Sequence, residues 1–312
     1  MTMKNDTSVI LRAMTADGSA RVSVINSTAI VNEAAKIHGC SATVEAALGR
    51  LLTAASLIGN LLPERNDSLT IGLNGGGPAG KFIAVSDYYG NVRGWVENPL
   101  ADPPARPDGK LNVGAAVGRD GSLYMVRDIG GDEPQHGTVV LRSGEIAEDI
   151  AAFFAESEQI PTLCALGVMV DRDLTCIGAG GILIQLLPNA DPEVLDILER
   201  NAVGLSKISD LFVNGATCED IMKIALEGIE YNLFDETEVE YKCTCSRERF
   251  LNTIAGFGRE EVLRLLDEAE GDGMGRELET KCRFCRTTNR FGEAELLARV
   301  AELEAAKAES EE

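Results

Sequence analysis

The spacing of hydrophobic and polar residues changes several times along the chain, and each spacing predicts a different kind of element. Short alternating runs between residues 8 and 25, on either side of the turn 16–19, predict two strands. Apolar residues then recur at helical spacing, which predicts helices over 28–38 and 41–62. Ser41 is a good N-cap for the second helix. This helix is rich in Ala and Leu, so we expect it to be buried.

From residue 69 to residue 141 the pattern becomes one of short apolar or alternating runs separated by turn residues. It predicts six strands, over 69–73, 81–86, 92–96, 111–117, 123–127 and 138–141. Asp120-Gly121 lies between two of these runs and predicts a hairpin turn. The region ends with a helix over 145–158 and strands over 162–170 and 181–187. We interpret residues 1–188 as an N-terminal α+β domain, an α/β core built on a mixed sheet.

Residues 189–234 show short helical patterns instead, and we interpret them as a helical linker. Asp191-Pro192 opens the first helix, and two more are predicted over 207–212 and 218–226. Each helix has one apolar face, so we expect these faces to pack on the first domain. A thin helical layer docked on a sheet can detach at a low cost in free energy.

Residues 235–292 hold the strongest chemical signal, which consists of two close pairs of cysteines. The pairs are Cys243-Thr-Cys245 and Cys282-Arg-Phe-Cys285. Four thiolates form a closed tetrahedral zinc site, and C-x-x-C is the common half-site. The 36 residues between the pairs, 246–281, exceed the usual zinc-ribbon separation of roughly 15–20, so they must carry structure of their own. We predict that the four cysteines bind one Zn²⁺ per chain in a small C-terminal domain.

The sequence around the cysteines is basic, although the chain as a whole is acidic. The flanking cations are Lys242, Arg247, Arg249, Lys281, Arg283, Arg286 and Arg290. A four-thiolate zinc site carries a formal charge of about −2, and positive neighbours favour the thiolate, which is both the metal ligand and the oxidisable form. Two alternatives remain open from the spacing: four buried inert thiols, or a zinc ribbon that never changes state.

The segments after the first cysteine pair are predicted to be helical. Residues 259–269 predict a short helix inside the insert, and 293–312 predict a C-terminal helix that frays into an acidic tail. Zinc contributes roughly 10–16 kcal/mol in small metal domains, whereas whole domains are stable by only about 5–15 kcal/mol. A module of this size has little core, so we expect loss of zinc to unfold it.

Composition limits the possible classes of protein. The chain has 312 residues, a formal net charge of −21 and 45% hydrophobic residues, which suggests about two domains with a substantial core. The acidic charge argues against nucleic-acid binding, and no apolar run is long enough to predict a membrane span. The first six residues do not resemble a signal peptide. Eight cysteines in such a chain fit a reducing cytoplasm.

The four cysteines outside the two pairs receive separate interpretations. Cys40, Cys164 and Cys176 lie among apolar neighbours or at an element end, and we expect ordinary buried or half-buried thiols. Cys218 differs, because Thr217 is a good N-cap and would place the thiol in the first turn of a helix. The helix dipole lowers the pKa of a thiol there. Our hypothesis is that Cys218 is a minor reactive thiol.

With these residues in view, the chain resembles the bacterial 33-kilodalton heat-shock redox chaperone family. The resemblance covers nearly the whole chain. It rests on Cys243-Thr-Cys245-Ser-Arg-Glu-Arg249, Cys282-Arg-Phe-Cys285, Ser157-Glu-Gln-Ile-Pro161 and Ala179-Gly-Gly-Ile-Leu-Ile-Gln-Leu-Leu-Pro188.

The resemblance implies a reduced, zinc-bound and inactive protein. On oxidation, disulfides Cys243–Cys245 and Cys282–Cys285 form and zinc leaves. The switch domain and the linker then unfold, and the exposed surface holds unfolded client proteins without ATP. The resemblance also implies that the activated protein forms a homodimer.

The leading hypothesis is therefore an oxidation-activated holdase and not an enzyme. A second class is a thiol-disulfide oxidoreductase using Cys282 and Cys285, although no βαβ pattern surrounds this C-x-x-C pair. A third is a zinc-dependent nucleic-acid binder, which the acidic charge disfavours. The two histidines, His38 and His136, do not establish a Ser-His-Asp arrangement, and we interpret them as surface or capping residues.

Overall fold

The computed structural model describes residues 7–131, 133–271, 273 and 275–310. The chain divides into two compact units, Met1–Lys242 and Cys243–Glu312. The predicted linker, 189–234, belongs to the first unit. The boundary falls inside the predicted segment 235–292, because its first residues belong to a strand of the first unit.

In the described part of the first unit, ten strands form two antiparallel sheets. They are β1 Ser8–Thr15, β2 Ala20–Asn26, β3 Ser68–Gly76, β4 Phe82–Asp87, β5 Val92–Val96, β6 Gly118–Asp128, β7 Gln135–Val140, β8 Thr162–Val170, β9 Cys176–Leu186 and β10 Tyr231–Val239. The first sheet has the order β10-β1-β2-β9-β8, and the second has the order β5-β4-β3-β6-β7. The predicted α+β fold class is confirmed, but the predicted mixed sheet is wrong, because the strand pairs of both sheets are antiparallel.

Seven α-helices accompany these sheets in the described part of the first unit. They are α1 Thr28–His38, α2 Ala42–Gly59, α3 Val113–Val117, α4 Ala147–Phe153, α5 Pro192–Ala202, α6 Ile208–Val213 and α7 Cys218–Ala225. As predicted, Ser41 caps α2, since its side chain accepts a hydrogen bond of 3.3 Å from the backbone N–H of Val44. Gly39 ends α1 in the left-handed conformation with φ 63°.

Helix α2 packs against strands of both sheets and forms the centre of the unit. Leu48, Leu51, Leu52 and Leu57 are almost completely buried, as the sequence predicted for this helix. By length and composition alone α2 could also cross a membrane, but 89% of that window is buried inside the protein. Its apolar character is therefore explained by its place in the core.

The first sheet is apolar on both faces. One face contributes Ile10, Ile25 and Leu183 to the core around α2. The other, which we call the outer face, carries the buried residues Leu11, Ala13, Ala20, Val22, Val24, Ile182 and Ile184. Because side chains alternate along a strand, neighbouring residues of β1, β2 and β9 serve opposite faces. A sheet of this kind needs a covering layer on each side.

Helices α5 to α7 supply the layer on the outer face. We call this layer, residues 192–225, the cover. It contributes the buried side chains Leu198, Leu205, Ile208, Phe212, Cys218, Ile221, Met222 and Ala225. Asp191 caps α5, accepting from Glu193 N–H at 2.9 Å. The prediction that the apolar faces of these helices pack on the first domain is confirmed.

Two glycines of β9 allow α6 to lie directly on the sheet. A Cβ at Gly178 would lie 2.5 Å from Cγ2 of Val213, and one at Gly180 would lie 2.1 Å from Cε2 of Phe212. Any side chain at these positions would push the helix away. The contact between cover and sheet thus depends on small residues in the middle of β9.

The second unit is small and mostly helical. Its elements are α8 Arg247–Ala255, α9 Arg259–Gly271, β11 Glu277–Lys281, β12 Thr288–Gly292 and α10 Glu293–Ser310. Its core cluster of buried apolar residues contains Ile254, Ala255, Val262, Leu266, Phe291, Leu296 and Val300. The predicted C-terminal helix is present as α10, and because Leu296 and Val300 belong to it, its first half is part of the core. Glu311 and Glu312 lie outside the described residues.

Arg276, immediately before β11, forms ion pairs with residues of α9 and α10. Its guanidinium pairs with Glu293 of α10 at 2.7 Å and with Asp267 and Glu270 of α9 at 2.5 and 3.2 Å. The arginine side chain is about one third exposed, so these pairs orient the helices more than they stabilise them.

Two predictions in the β-rich region are wrong. The segment 111–117 is not a strand, because Asn112 caps the short helix α3 by accepting from Ala115 N–H at 3.2 Å. Asp120-Gly121 does not form a hairpin turn, because both residues lie within β6. A Cβ at Gly121 would lie 2.0 Å from the carbonyl oxygen of Asn74. The glycine allows close approach of β3, where the strand pairing changes register.

Strand β10 was not predicted. It forms an edge of the first sheet and pairs with β1 over Tyr231–Val239. Most of its side chains are exposed, so it lacks the apolar alternation that identifies a half-buried strand. Asp235 ties it to β1, with its carboxylate 2.8 Å from Nε and 2.6 Å from Nη2 of Arg12.

A buried carboxyl group lies inside the first unit. Glu45, in the first turn of α2, is only 2% exposed, and neither of its carboxyl oxygens has a hydrogen-bond partner among the described residues. Burial raises its pKa to about 7 from an ordinary 4.5. In the folded protein, Glu45 is therefore mostly protonated below about pH 7.

We expect Glu45→Gln to stabilise the protein at pH 8 by about 3 kcal/mol, with little change at pH 4. A pKa raised from 4.5 to about 7 means that the free energy of unfolding falls as pH rises through this range. Guanidinium unfolding followed by the fluorescence of Trp95, the only tryptophan, would measure it. Glu148→Gln, at an exposed glutamate in the first turn of α4, is the matched control. An equal gain at both pH values would contradict this account.

Candidate metal centre

The first cysteine pair lies immediately before α8. Ser246 is the N-cap of this helix, and its Oγ accepts from Arg249 N–H at 3.1 Å. The cap gives residue 246 an extended backbone, with φ −136° and ψ 155°. The start of α8 thereby fixes the direction in which the chain carrying Cys243 and Cys245 approaches the second cysteine pair.

The second pair lies in the turn between β11 and β12. The two strands pair up to Lys281 and Thr288. Within the turn, Cys282 N–H donates to Thr287 O and Arg286 N–H donates to Cys282 O, both at 2.9 Å. Arg286 takes the left-handed conformation with φ 60°. This tight turn holds the thiols of Cys282 and Cys285 on the same side of the hairpin.

The structure brings the four sulfurs together, as the sequence predicted. Sγ of Cys243 lies 3.7 Å from Sγ of Cys282, and Sγ of Cys245 lies 3.4 Å from Sγ of Cys285. All four sulfurs lie within 4.8 Å of one another. With Zn–S bonds of about 2.3 Å, tetrahedral sulfurs are about 3.8 Å apart. The arrangement can therefore hold one metal ion with little movement, and four sulfur donors fit zinc.

The four thiols differ in environment. Cys282 is 4% exposed, whereas the other three are half-buried. Burial, followed by contacts among the thiols, raises the pKa of Cys245. Burial also opposes ionisation of Cys285, but hydrogen bonding to Thr287, whose Oγ1 lies 3.2 Å from the sulfur, lowers its pKa to about 7. Thr287 was not predicted, because its role depends on the geometry of the turn.

The predicted cations are partly engaged with carboxylates. Arg247 forms an ion pair with Glu295, donates to the carbonyl oxygen of Arg290 at 2.9 Å, and lies over the ring of Phe291 at 4.6 Å. Arg290 itself pairs with Glu279 at 3.0 Å. These cations thus help to fold the unit, beyond the electrostatic role that the sequence suggested.

The expected low pKa of Cys218 is wrong. Thr217 caps α7 as predicted, with Oγ1 accepting from Asp220 N–H at 3.2 Å, so Cys218 does lie in the first turn. However, Cys218 is only 5% exposed, since it belongs to the buried side of the cover, and burial raises the pKa of its thiol to about 12. Desolvation outweighs the helix dipole. Cys40 and Cys176 are buried as expected, and Cys164 is half-buried.

His38 is not a surface residue. It is 6% exposed, and its Nε2 lies 2.9 Å from the carbonyl oxygen of Gly94 and 3.2 Å from the hydroxyl of Tyr241. It therefore helps to anchor the last residues of the first unit. His136 is exposed, as predicted. Neither histidine takes part in the sulfur site.

Comparison with known proteins assigns this geometry to a family. The family model described as Hsp33 protein matches residues 8–292. Two curated relatives are named 33 kDa chaperonin. The one from Desulforamulus reducens is 43% identical, covering 92% of this chain and 95% of its own. The one from Clostridium perfringens strain SM101 is 40% identical, covering 90% of this chain and 88% of its own.

A solved structure shows the same architecture. The crystal structure of the 33 kDa chaperonin (heat shock protein 33 homolog) from Thermotoga maritima superposes with a TM-score of 0.84 at 32% identity. The match covers 96% of this chain and 99% of the other.

We expect the reduced full-length chain to bind one equivalent of Zn²⁺ and Cys282→Ser to weaken binding by more than about tenfold, because zinc needs all four ligands for a closed site. Elemental analysis and competition with a chromogenic chelator would measure both quantities.

Cys164→Ala is the matched control for this experiment, since it removes a thiol outside the sulfur site. It should retain the metal. Reduced wild-type protein without zinc, or an equal loss in the Cys164→Ala variant, would overturn the assignment.

Proposed function

The chain belongs to the Hsp33 family, and from this premise we propose that it is a redox-regulated chaperone that holds unfolding proteins. The resemblance found in the sequence is confirmed. The observation that supports the proposal best is the group of four free thiols within 4.8 Å. Such a group can hold a metal in the reduced protein and form disulfides in the oxidised protein.

In the reduced state, one zinc ion would hold the second unit together. Its ligands would be Cys243, Cys245, Cys282 and Cys285. The apolar core of this unit has seven buried residues. Zinc in small domains is worth roughly 10–16 kcal/mol, which exceeds what a core of this size supplies. Loss of the metal would therefore unfold the unit.

Oxidation would release the metal by removing its ligands. A sulfur attacks hydrogen peroxide and becomes a sulfenic acid with loss of water. A second thiol then displaces another water as the disulfide forms. Each disulfide consumes two thiols and one peroxide molecule, so two peroxide molecules oxidise the site. Sulfurs in a disulfide no longer carry the negative charge that zinc ligands require.

The pairing of the cysteines decides whether the unit opens. Two short sulfur–sulfur distances join the two segments, from Cys243 to Cys282 and from Cys245 to Cys285, and the members of each pair lie 39 and 40 residues apart in sequence. Disulfides across loops of this length would constrain the unfolded chain and oppose opening. Bonds between neighbours, Cys243–Cys245 and Cys282–Cys285, close very short loops and leave the two halves free to separate. We therefore propose the neighbouring pairs.

Unfolding of the second unit would also destabilise the cover, because strand β10 links the two along the chain. The chain leaves α7, forms the edge strand β10, and reaches Cys243 four residues after β10 ends. Within β10 only Val239 is buried, so little apolar area holds this strand once the chain beyond it is disordered. The cover consists of short helices, which have little stability of their own.

Release of the cover would expose the outer face to clients. Buried on this face are Leu11, Val22, Val24, Ile182 and Ile184. Large contiguous apolar surfaces are typical interaction sites, and the net charge of −21 would help to keep the open protein in solution. The clients would be unfolded or partly unfolded proteins. The proposal includes a homodimer when activated, a cytoplasmic location, no enzymatic activity, and neither nucleic-acid nor membrane partners.

We expect the oxidised protein to slow the aggregation of a thermally unfolding client several-fold in light scattering, and the reduced zinc-loaded protein to have little effect. The Cys282→Ser, Cys285→Ser double variant lacks two zinc ligands, so on this account it should slow aggregation without oxidant. Cys164→Ala should behave as wild type.

Peptide mapping of the same oxidised sample would identify the disulfides. Equal suppression by the reduced protein would refute redox control. Disulfides joining Cys243 to Cys282 and Cys245 to Cys285 in the active sample would contradict the proposed pairing.

We expect Gly178→Ala to loosen the cover without oxidant. The new methyl group would lie 2.5 Å from Val213 Cγ2, and overpacking of this kind costs about 1–3 kcal/mol. Fluorescence of an apolar dye and proteolysis within 192–225 should both increase in the reduced protein. In the control Gly131→Ala, the nearest atom to the new Cβ is 3.7 Å away. Unchanged dye binding in the Gly178 variant would show that α6 does not limit exposure of the outer face.

A further inference from the structure

Two sequence segments that the sulfur site does not use meet in the first unit. The first segment is Ser157–Pro161. It begins at the end of a π-helical turn, Phe154–Glu158, which extends α4, and Gln159 then adopts the left-handed conformation with φ 58°. In Ala179–Pro188, Gln185 lies on β9 and is 1% exposed. π-helical turns are rare and occur frequently at functional sites. The residues brought together by these segments therefore call for a chemical explanation.

Beside the π-helical turn lies a cavity of about 270 Å³, which is also lined by the end of α2 and by residues of β2 and β6. Gln185 does not line this cavity but contacts Arg21, which does. The apolar wall of the cavity includes Ile58, Leu62 and Ile160. Arg21 and Arg127 supply positive charge, and Glu158 supplies one negative charge. A mostly apolar cleft with a few convergent polar groups is the usual form of a small-molecule site.

The charges in the cavity do not cancel. Arg127 is neutralised by Glu158, with Nη1 and Oε1 2.8 Å apart. Arg21 donates from Nε to Oε1 of Gln185 at 2.9 Å, and Gln185 is held in turn by Thr162 at 3.4 Å. Among the described residues no carboxylate lies within ion-pair distance of Arg21. One fixed positive charge therefore faces the cavity.

Burial, reinforced by the positive charge of Arg127, lowers the pKa of Arg21. The charged form is thus less stable here than in water, and an anion in the cavity would relieve this cost. The chain carries a net charge of −21, so carboxylates are abundant. Arg21 is nevertheless not paired with one among the described residues. The buried amide of Gln185 instead leaves the outer nitrogens of Arg21 available.

We propose that this cavity binds a small organic monocarboxylate with a short apolar chain. The carboxylate would pair with Arg21, and the chain would pack against Ile58, Leu62 and Ile160. A phosphate dianion is a poorer match, because Glu158 lies in the same cavity. The volume lies just below the roughly 300–1,000 Å³ of drug-sized sites, which limits the ligand to a small molecule or a chain terminus.

Isothermal titration of the reduced, metal-loaded full chain with hexanoate tests the proposal independently of redox activation. Hexanoate should give saturable binding, whereas hexanol and inorganic phosphate should bind at least about tenfold more weakly. The carboxylate could belong to a free carboxylic acid or to the C-terminus of a peptide. Titration with acetylated leucyl-leucine, which has a free carboxylate, distinguishes these two ligands. Tighter binding of hexanoate indicates a free carboxylic acid, and tighter binding of the dipeptide indicates a peptide C-terminus. Hexanol binding as tightly as hexanoate would overturn the proposal.

Variants locate the binding site. Arg21→Met should weaken hexanoate binding by at least about tenfold, because a charge-assisted pair is lost. Arg119→Met, at an exposed arginine of β6, should leave binding unchanged. Equal affinity of the Arg21→Met and wild-type proteins would contradict the assignment.

A measurement on the wild-type protein alone guards against a variant that does not fold. In amide NMR spectra, hexanoate should shift the resonances of Arg21, Ile58 and Ile160. Shifts confined to the outer face or to the second unit would also overturn the proposal.

Discussion

The structure of the second unit depends on bringing four sulfurs together from two segments 39 and 40 residues apart. Its seven-residue apolar core is small, and the thiols crowd within 4.8 Å. Without a metal, burial and then the contacts among the thiols raise the pKa of Cys245. A bound divalent ion would instead favour the ionised thiols, because it stabilises four thiolates at once. On the proposed function, the same four sulfurs would make the unit sensitive to oxidation, since oxidised sulfur is no longer a ligand.

The first unit contains the complementary constraint. Its first sheet is apolar on both faces, but the two faces have unequal partners. Helix α2 fills the inner side as a long, almost fully buried helix, whereas the outer face is covered by the short helices α5 to α7. Local stability follows buried area and contact density. On the proposed function, the layer on the outer face is the one that would detach, while the core around α2 would remain.

The sequence predicted features that local chemistry determines. Ser41 capped α2 where expected, and the two cysteine pairs met because their spacing reflects a shared site. It failed where tertiary contacts decide. Strand β10 has no apolar alternation, because pairing at an edge needs only backbone hydrogen bonds. Cys218 has the predicted position, yet burial reverses its pKa shift. Gly121 serves close strand approach and not a turn.

The central claim is that one metal ion controls the folding of both the second unit and the cover. Hydrogen exchange by mass spectrometry, on the full chain before and after peroxide, tests this most directly. The account predicts that residues 243–310 and 192–225 lose protection together, while α2 and the second sheet retain theirs. Loss of protection in 243–310 with an unchanged cover, or full protection everywhere after zinc has been released, would contradict it.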